Sequence, residues 1–188
     1  WLTAAMDRLF IESASGRRRF LDRLTLGFAA SHARAAARYD TAMRERARLL
    51  KYGPRDPAWL DGLEDEMAQA GIAVAEARAA AVERLARALA ERGDEGAFPV
   101  ATLALGGEMP ANAEALRQSL ARARLRDAET GRTTVGPHLT DLVVRHTKKR
   151  ADARDCSTGE QKALLISIIL AHVWELSRAR NGVAPLLL

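Results

Sequence analysis

Chemistry is most legible in Cys156-Ser157-Thr158-Gly159-Glu160-Gln161-Lys162, which runs straight into the apolar stripe Leu164, Leu165, Ile168, Ile169, Val173 and Leu176. A hydroxyl residue and a glycine at a helix N-terminus expose main-chain N–H groups with no intrahelical partner, and the helix dipole adds partial positive charge there. Such an end can hold a phosphate. The same residues also form an ordinary capping box, with Ser157 as N-cap and Glu160 reaching back from the third helical position. The local pattern leaves both readings open.

Other candidate residues are weaker. His138 stands beside Gly136-Pro137 with no cysteine or carboxylate next to it, so it reads as a turn residue, and Asp141 as a surface or hinge residue. His32, His146 and His172 have no metal-ligand spacing, and the single cysteine, Cys156, excludes an internal disulfide. Three basic clusters are candidate phosphate contacts: Arg17, Arg18 and Arg19; Arg122, Arg124 and Arg126; and Lys148, Lys149 and Arg150. Such a cluster is most often just a solvated basic surface. Aromatic residues make up 5% of the chain and do not interleave with these clusters, which disfavours stacking on single strands. No G-x-x-x-x-G-K-[ST] occurs, so the loop that cradles β- and γ-phosphates is absent from this sequence.

Several elements must position these residues. The 188 residues are 48% hydrophobic, enough for a proper core, and the net charge of +5 suits a polyanionic partner. Leu164 to Val173 is too short and too interrupted to span a membrane. Phe20, Leu21, Leu24 and Phe28 predict a helix opened by Ser15-Gly16, and Ser31 is placed as N-cap of a second helix reaching Tyr52, broken at Gly53-Pro54. A third helix is expected from Pro57 to Arg92, carrying Leu60, Leu63, Met67, Ala70, Val74, Leu85 and Leu89 in a narrow seam. The last two should pack antiparallel as an arm. After a turn at 93–96, strands are expected over Phe98 to Leu105, Thr133 to Val135 and Leu139 to Arg145, a helix over Asn112 to Ala128, and a polar basic loop over Thr147 to Asp155. Ser157 should open a final helix to Ala179, and Ala184 to Leu188 reads as a buried strand.

Three segments carry a resemblance. Ser157-Thr158-Gly159-Glu160-Gln161-Lys162-Ala163-Leu164-Leu165 resembles the signature of ABC-type ATPases in the form used by the RecF family. Thr134-Val135-Gly136-Pro137-His138 with Asp141-Leu142 is similar to that family's GPH-x-x-DL segment, with Leu139 where many relatives carry a basic residue. Gly16-Arg17-Arg18-Arg19-Phe20-Leu21-Asp22 is similar to its RRRFLD stretch. Cys156 departs from the usual leucine, and Thr158 stands where transporters prefer glycine.

The resemblance implies a mainly α, α+β fold: an antiparallel helical arm over 1–95, like domain II of the RecF family, inserted in an ABC-type ATPase head. Of that head, the signature lobe at 96–188 would be present, ending within the Walker B strand at Pro185 to Leu188. A chain opening on Trp1 and closing on Leu188 is thus expected to be an internal piece, inactive alone, of a cytoplasmic weak ATPase. In such heads the signature acts in trans on ATP and Mg²⁺ held by a second subunit: Ser157 would donate its hydroxyl, Gly159 its N–H, Thr158 would be tolerated, and Glu160 would orient the loop. The implied partners are double-stranded or gapped DNA, RecO and RecR, with loading of RecA, in repair, replication and the SOS response. Two alternatives stand beside it: an SMC-type chromosome-maintenance ATPase, whose arm would be much longer, and a non-catalytic helical interaction module in which Ser157 to Gln161 is a mere cap.

Overall fold

The computed structural model describes residues 8–53, 56–93 and 98–179. The expected turn at 93–96, Pro54 and the apolar run 184–188 fall wholly or partly outside them. Among the described residues the chain forms five α-helices and a small sheet: α1 (Ala14–Phe28), α2 (His32–Tyr52), α3 (Pro57–Arg92), β1 (Ala101–Gly106), α4 (Ala113–Thr130), β2 (Asp141–His146), β3 (Ala151–Asp152) and α5 (Thr158–Ala179). Short 3-10 turns occupy Pro137–Leu139 and Ala153–Asp155. This is the mainly helical α+β fold that the resemblance implied.

Contacts group the chain into two compact units, Trp1–Phe28 with Ala79–Gly106 and Asp141–Leu188, and Ala29–Arg78 with Gly107–Thr140. The chain therefore changes unit at four places, where the sequence suggested one boundary at 95–96. In the first unit β1 and β2 pair antiparallel from Ala101↔His146 to Gly106↔Asp141, and β3 adds Arg145↔Asp152 and His146↔Ala151. Side chains alternate across a strand, so Ala101, Leu103, Leu142 and Val144 turn into one core with Phe20, Leu24, Leu85, Leu89, Leu164 and Ile168. His172 of α5 is buried here and its Nε2–H donates to the carbonyl of Leu24 at 2.9 Å. Burial lowers its pKa from the ordinary histidine value.

The second unit corrects the picture of a two-helix arm, because α4 joins α2 and α3. Tyr39 and Ala42, Met67 and Ala70, and Leu116 and Leu120 share one cluster. Gly71 permits the approach, since a Cβ there would lie 3.0 Å from Leu116 and 3.1 Å from Tyr39. The apolar seam looked narrow in sequence because part of the interface is ionic. Arg46 is fully buried and gives Nε to Glu64 at 2.9 Å, Nη1 to Asp127 at 2.7 Å and Nη2 to the carbonyl of Leu120 at 2.8 Å, joining all three helices. Arg124 adds a second guanidinium on Glu64, with Nε 2.9 Å from Oε1.

Four smaller expectations shift. Ser31 precedes α2 but makes no side-chain cap, its backbone being already helical at φ −67 and ψ −19. Thr133 to Val135 forms no strand: Asp127 Oδ1 takes the Thr134 N–H at 3.0 Å and its hydroxyl at 2.6 Å, and His138 takes the Thr133 carbonyl, so side chains replace a ladder. β2 starts at Asp141 rather than Leu139 because the 3-10 turn consumes Pro137–Leu139. The basic loop is a hairpin turn, Thr147 to Arg150, followed by β3, with Arg150 in the left-handed region at φ 52.

Candidate functional site

The N-terminus of α5 is built from residues that bond to one another and to the β2–β3 turn. Ser157 donates its N–H (3.0 Å) and its hydroxyl (2.9 Å) to Glu160 Oε2, and the Glu160 N–H approaches Ser157 Oγ at 3.4 Å. The reciprocal capping box is thus formed. Lys149, carried on the hairpin turn, pairs with the other carboxylate oxygen, Oε1. Together these hold the Glu160 pKa at about 2, the Lys149 ammonium contributing most and the two bonds from Ser157 next. Below the cap, the buried Gln161 side chain donates to the carbonyl of Cys156 at 2.9 Å and more weakly to that of Arg154 at 3.4 Å, fixing the Ala153–Asp155 turn to α5.

Ser157, Thr158 and Gly159 are exposed. A Cβ built on Gly159 meets nothing within 4 Å among the described residues, so their packing does not call for glycine there. Cys156 is buried with its Sγ toward the carbonyl of Asp152, and burial raises its thiol pKa, which suits packing rather than reactivity.

The other two motif segments meet elsewhere. Arg17 of α1 forms a two-pronged ion pair with Asp141 at the start of β2, Nε to Oδ1 at 2.9 Å and Nη2 to Oδ2 at 2.7 Å. Asp141 therefore ties β2 to α1 rather than serving as a loose hinge, and the Arg17 guanidinium is already engaged. His138 is a turn residue, as its sequence context suggested. Its Nε2–H donates to the Thr133 carbonyl at 2.9 Å, which leaves Nδ1 to accept from the Tyr39 hydroxyl at 2.6 Å. Arg78 Nη1 completes the turn on the carbonyl of Pro137 at 2.7 Å. Gly136 has φ 132, and a Cβ there would lie 2.2 Å from the Tyr39 hydroxyl.

The basic candidates divide. Arg19, Lys148 and Arg150 are exposed. Lys149 is committed to Glu160, and Arg18 has an interaction of its own. On α4, Arg122 is exposed, Arg124 bonds Glu64 and Asp61, and Arg126 gives Nε to the Thr134 hydroxyl at 2.9 Å. Among the described residues no group of three or more His, Cys, Asp or Glu could hold a metal ion, and no helix is long and apolar enough to cross a membrane.

Curated proteins give close matches to the whole chain. The DNA replication and repair protein RecF of Allorhizobium ampelinum is 49% identical over 196 aligned positions, covering 100% of this chain and 52% of that protein. Those of Mesorhizobium japonicum and Agrobacterium fabrum are 46% and 48% identical with the same coverage. The chain belongs to the RecF family. It spans about half the length of the RecF relatives it matches. No family model matches it. In fold it is similar to the recombination mediator protein RecF solved with ATP in the RecFOR pathway, at TM-score 0.82 and 19% identity over 99% of this chain and 52% of that one. A second RecF structure, described as RecF-ATPrS, is similar at TM-score 0.79 and 18% identity.

Within this RecF-family chain, sequence reasoning passed over Tyr39, Arg78, Arg46, Glu64 and Asp127. Each lies on a helix where a polar residue reads as solvated face. The one available signal was their spacing, three or four positions from the buried apolar residues of α2, α3 and α4.

Proposed function

We propose that this chain forms the signature-bearing part of an ATP-dependent, DNA-binding dimer acting in recombinational repair and replication. Ser157, Thr158, Gly159 and Glu160 would close over the γ-phosphate of ATP held with Mg²⁺ by a second subunit. The observation that carries the reading is the α5 terminus: a formed cap, an exposed hydroxyl and a glycine whose lack of a side chain serves no packing among the described residues, in a RecF-family sequence. That the structural neighbour was solved as RecF-ATP supports the choice of nucleotide, and its place in the RecFOR pathway supports RecO and RecR as partners. Duplex or gapped DNA, cytoplasmic location and ATP-driven dimerisation follow from the same family reading. The unit of α2, α3 and α4 would serve as the arm, and the unit that carries α5 as the signature lobe, in place of a single division at 95–96.

Ser157→Arg in a P-loop-bearing full-length protein tests it. A charge-assisted hydrogen bond to phosphate contributes about 1.5 to 3 kcal/mol, and a symmetric dimer has two such sites. ATP binding to the monomer should therefore survive while dimer closure is lost. Sedimentation with a slowly hydrolysed ATP analogue reads this directly, and an analogue-dependent dimer persisting in Ser157→Arg would overturn the assignment. If Ser157 were a cap alone, the variant would cost roughly 1 kcal/mol of folding stability and leave association untouched.

A further inference from the structure

Glu160 poses an electrostatic problem that the signature reading alone does not resolve. Its Oε2 lies 2.9 Å from the Ser157 hydroxyl, the group proposed to meet a polyphosphate. A bare carboxylate so close would repel that polyphosphate. It would also compete for the hydroxyl proton. The structure supplies a counter-ion: Lys149, on the turn between β2 and β3, takes Oε1, while Oε2 is held by the Ser157 main-chain N–H as well as by the hydroxyl. The hydroxyl proton can thus turn outward to a phosphate oxygen while two donors still hold the carboxylate in place. The turn is itself anchored, with the Thr147 N–H on the Val100 carbonyl at 3.1 Å and the Thr147 hydroxyl 3.0 Å from that of Thr102. Lys149 is therefore presented to α5 by the sheet.

We infer that Lys149 is a positioning residue of the signature, neutralising Glu160 so that a second subunit's triphosphate can approach Ser157, rather than a DNA contact. The inference rests on the signature reading above. Lys149 and Glu160 are both surface groups, 54% and 28% exposed, so their pairing matters through the charge it presents to an incoming anion more than through folding stability.

The test uses the full-length protein without DNA, with a slowly hydrolysed ATP analogue and sedimentation. Lys149→Met should weaken analogue-driven dimerisation at least tenfold with an unchanged melting temperature. Lys149→Arg, which keeps the charge, should retain it. Adding Glu160→Gln to Lys149→Met should restore most of it, because glutamine still closes a capping box but carries no charge. Normal dimerisation of Lys149→Met, with a loss of duplex affinity, would overturn the inference and make Lys149 a DNA contact. A loss that Glu160→Gln fails to rescue and that travels with a lower melting temperature would overturn it in favour of a structural role. Ser157→Arg separates the two levels: if it too leaves dimerisation intact, the signature reading falls. If Ser157→Arg abolishes dimerisation and Lys149→Met does not, the counter-ion inference alone falls.

Discussion

At the scale of single residues, function and architecture are written in the same letters. Gly159 and Gly136 look alike in sequence, each a glycine in a motif. Around Gly159 the chain leaves open space, whereas Gly136 is required from within by φ 132 and by the Tyr39 hydroxyl, 2.2 Å from where a Cβ would stand. Gly136→Ala should destabilise the helical unit by roughly 2 to 4 kcal/mol, combining left-handed strain with loss of the Tyr39–His138 bond. Thermal denaturation would show a drop on the order of 10 °C. In a Tyr39→Phe background the same substitution should cost clearly less, since the oxygen it collides with is gone. Equal costs in both backgrounds would mean that strain alone sets the penalty.

Among the elements, α4 changes the meaning of the arm. Its partnership with α2 and α3 depends on Arg46, whose three donors meet Glu64, Asp127 and the Leu120 carbonyl inside the unit. Removing one member of a buried ionic cluster leaves the others desolvated and uncompensated, typically at a cost of about 3 to 5 kcal/mol. Arg46→Met is expected to fall in that range by urea unfolding. Arg124→Met should cost less, because Arg124 is partly exposed and Arg46 still satisfies Glu64. A change below about 1 kcal/mol for Arg46→Met would show that α4 is held by its leucines alone. Asp127 also holds the Thr134 N–H, so the same cluster organises the chain just before the Gly136–His138 turn.

For the molecule as a whole, charge is the property that reaches a partner. With a net charge of +5 and aromatic residues at 5%, duplex binding by this chain should be electrostatic and blind to sequence. Arg17, Lys149 and Arg124 are held by carboxylates, and Arg19, Lys148, Arg150, Arg122 and Arg126 are the other exposed members of the candidate clusters. Substituting Lys148 and Arg150 together with alanine should weaken duplex binding and flatten its dependence on salt by about two units of log–log slope. Fluorescence anisotropy across a salt series measures this. An unchanged slope would remove the hairpin turn from the DNA surface.

The sequence by itself determined the helices, the β1 and β2 region and the cap of α5, because each depends on local spacing: apolar residues three or four apart, alternation along a strand, Ser157 three residues before Glu160. It also determined the family, since Arg17–Asp22, Gly136–Leu142 and Ser157–Leu165 are contiguous stretches that can be compared letter by letter. Only tertiary structure decided that α4 packs with α2 and α3, that Thr133 to Val135 forgoes a strand, that Arg17 is spent on Asp141, and that Lys149 belongs to Glu160. Those outcomes turn on which charges meet across 124, 81 or 11 positions of chain, as in Arg17–Asp141, Arg46–Asp127 and Lys149–Glu160. A charged residue on a helix reads as solvated face until a partner of opposite sign is folded against it, and desolvation then makes that pairing obligatory.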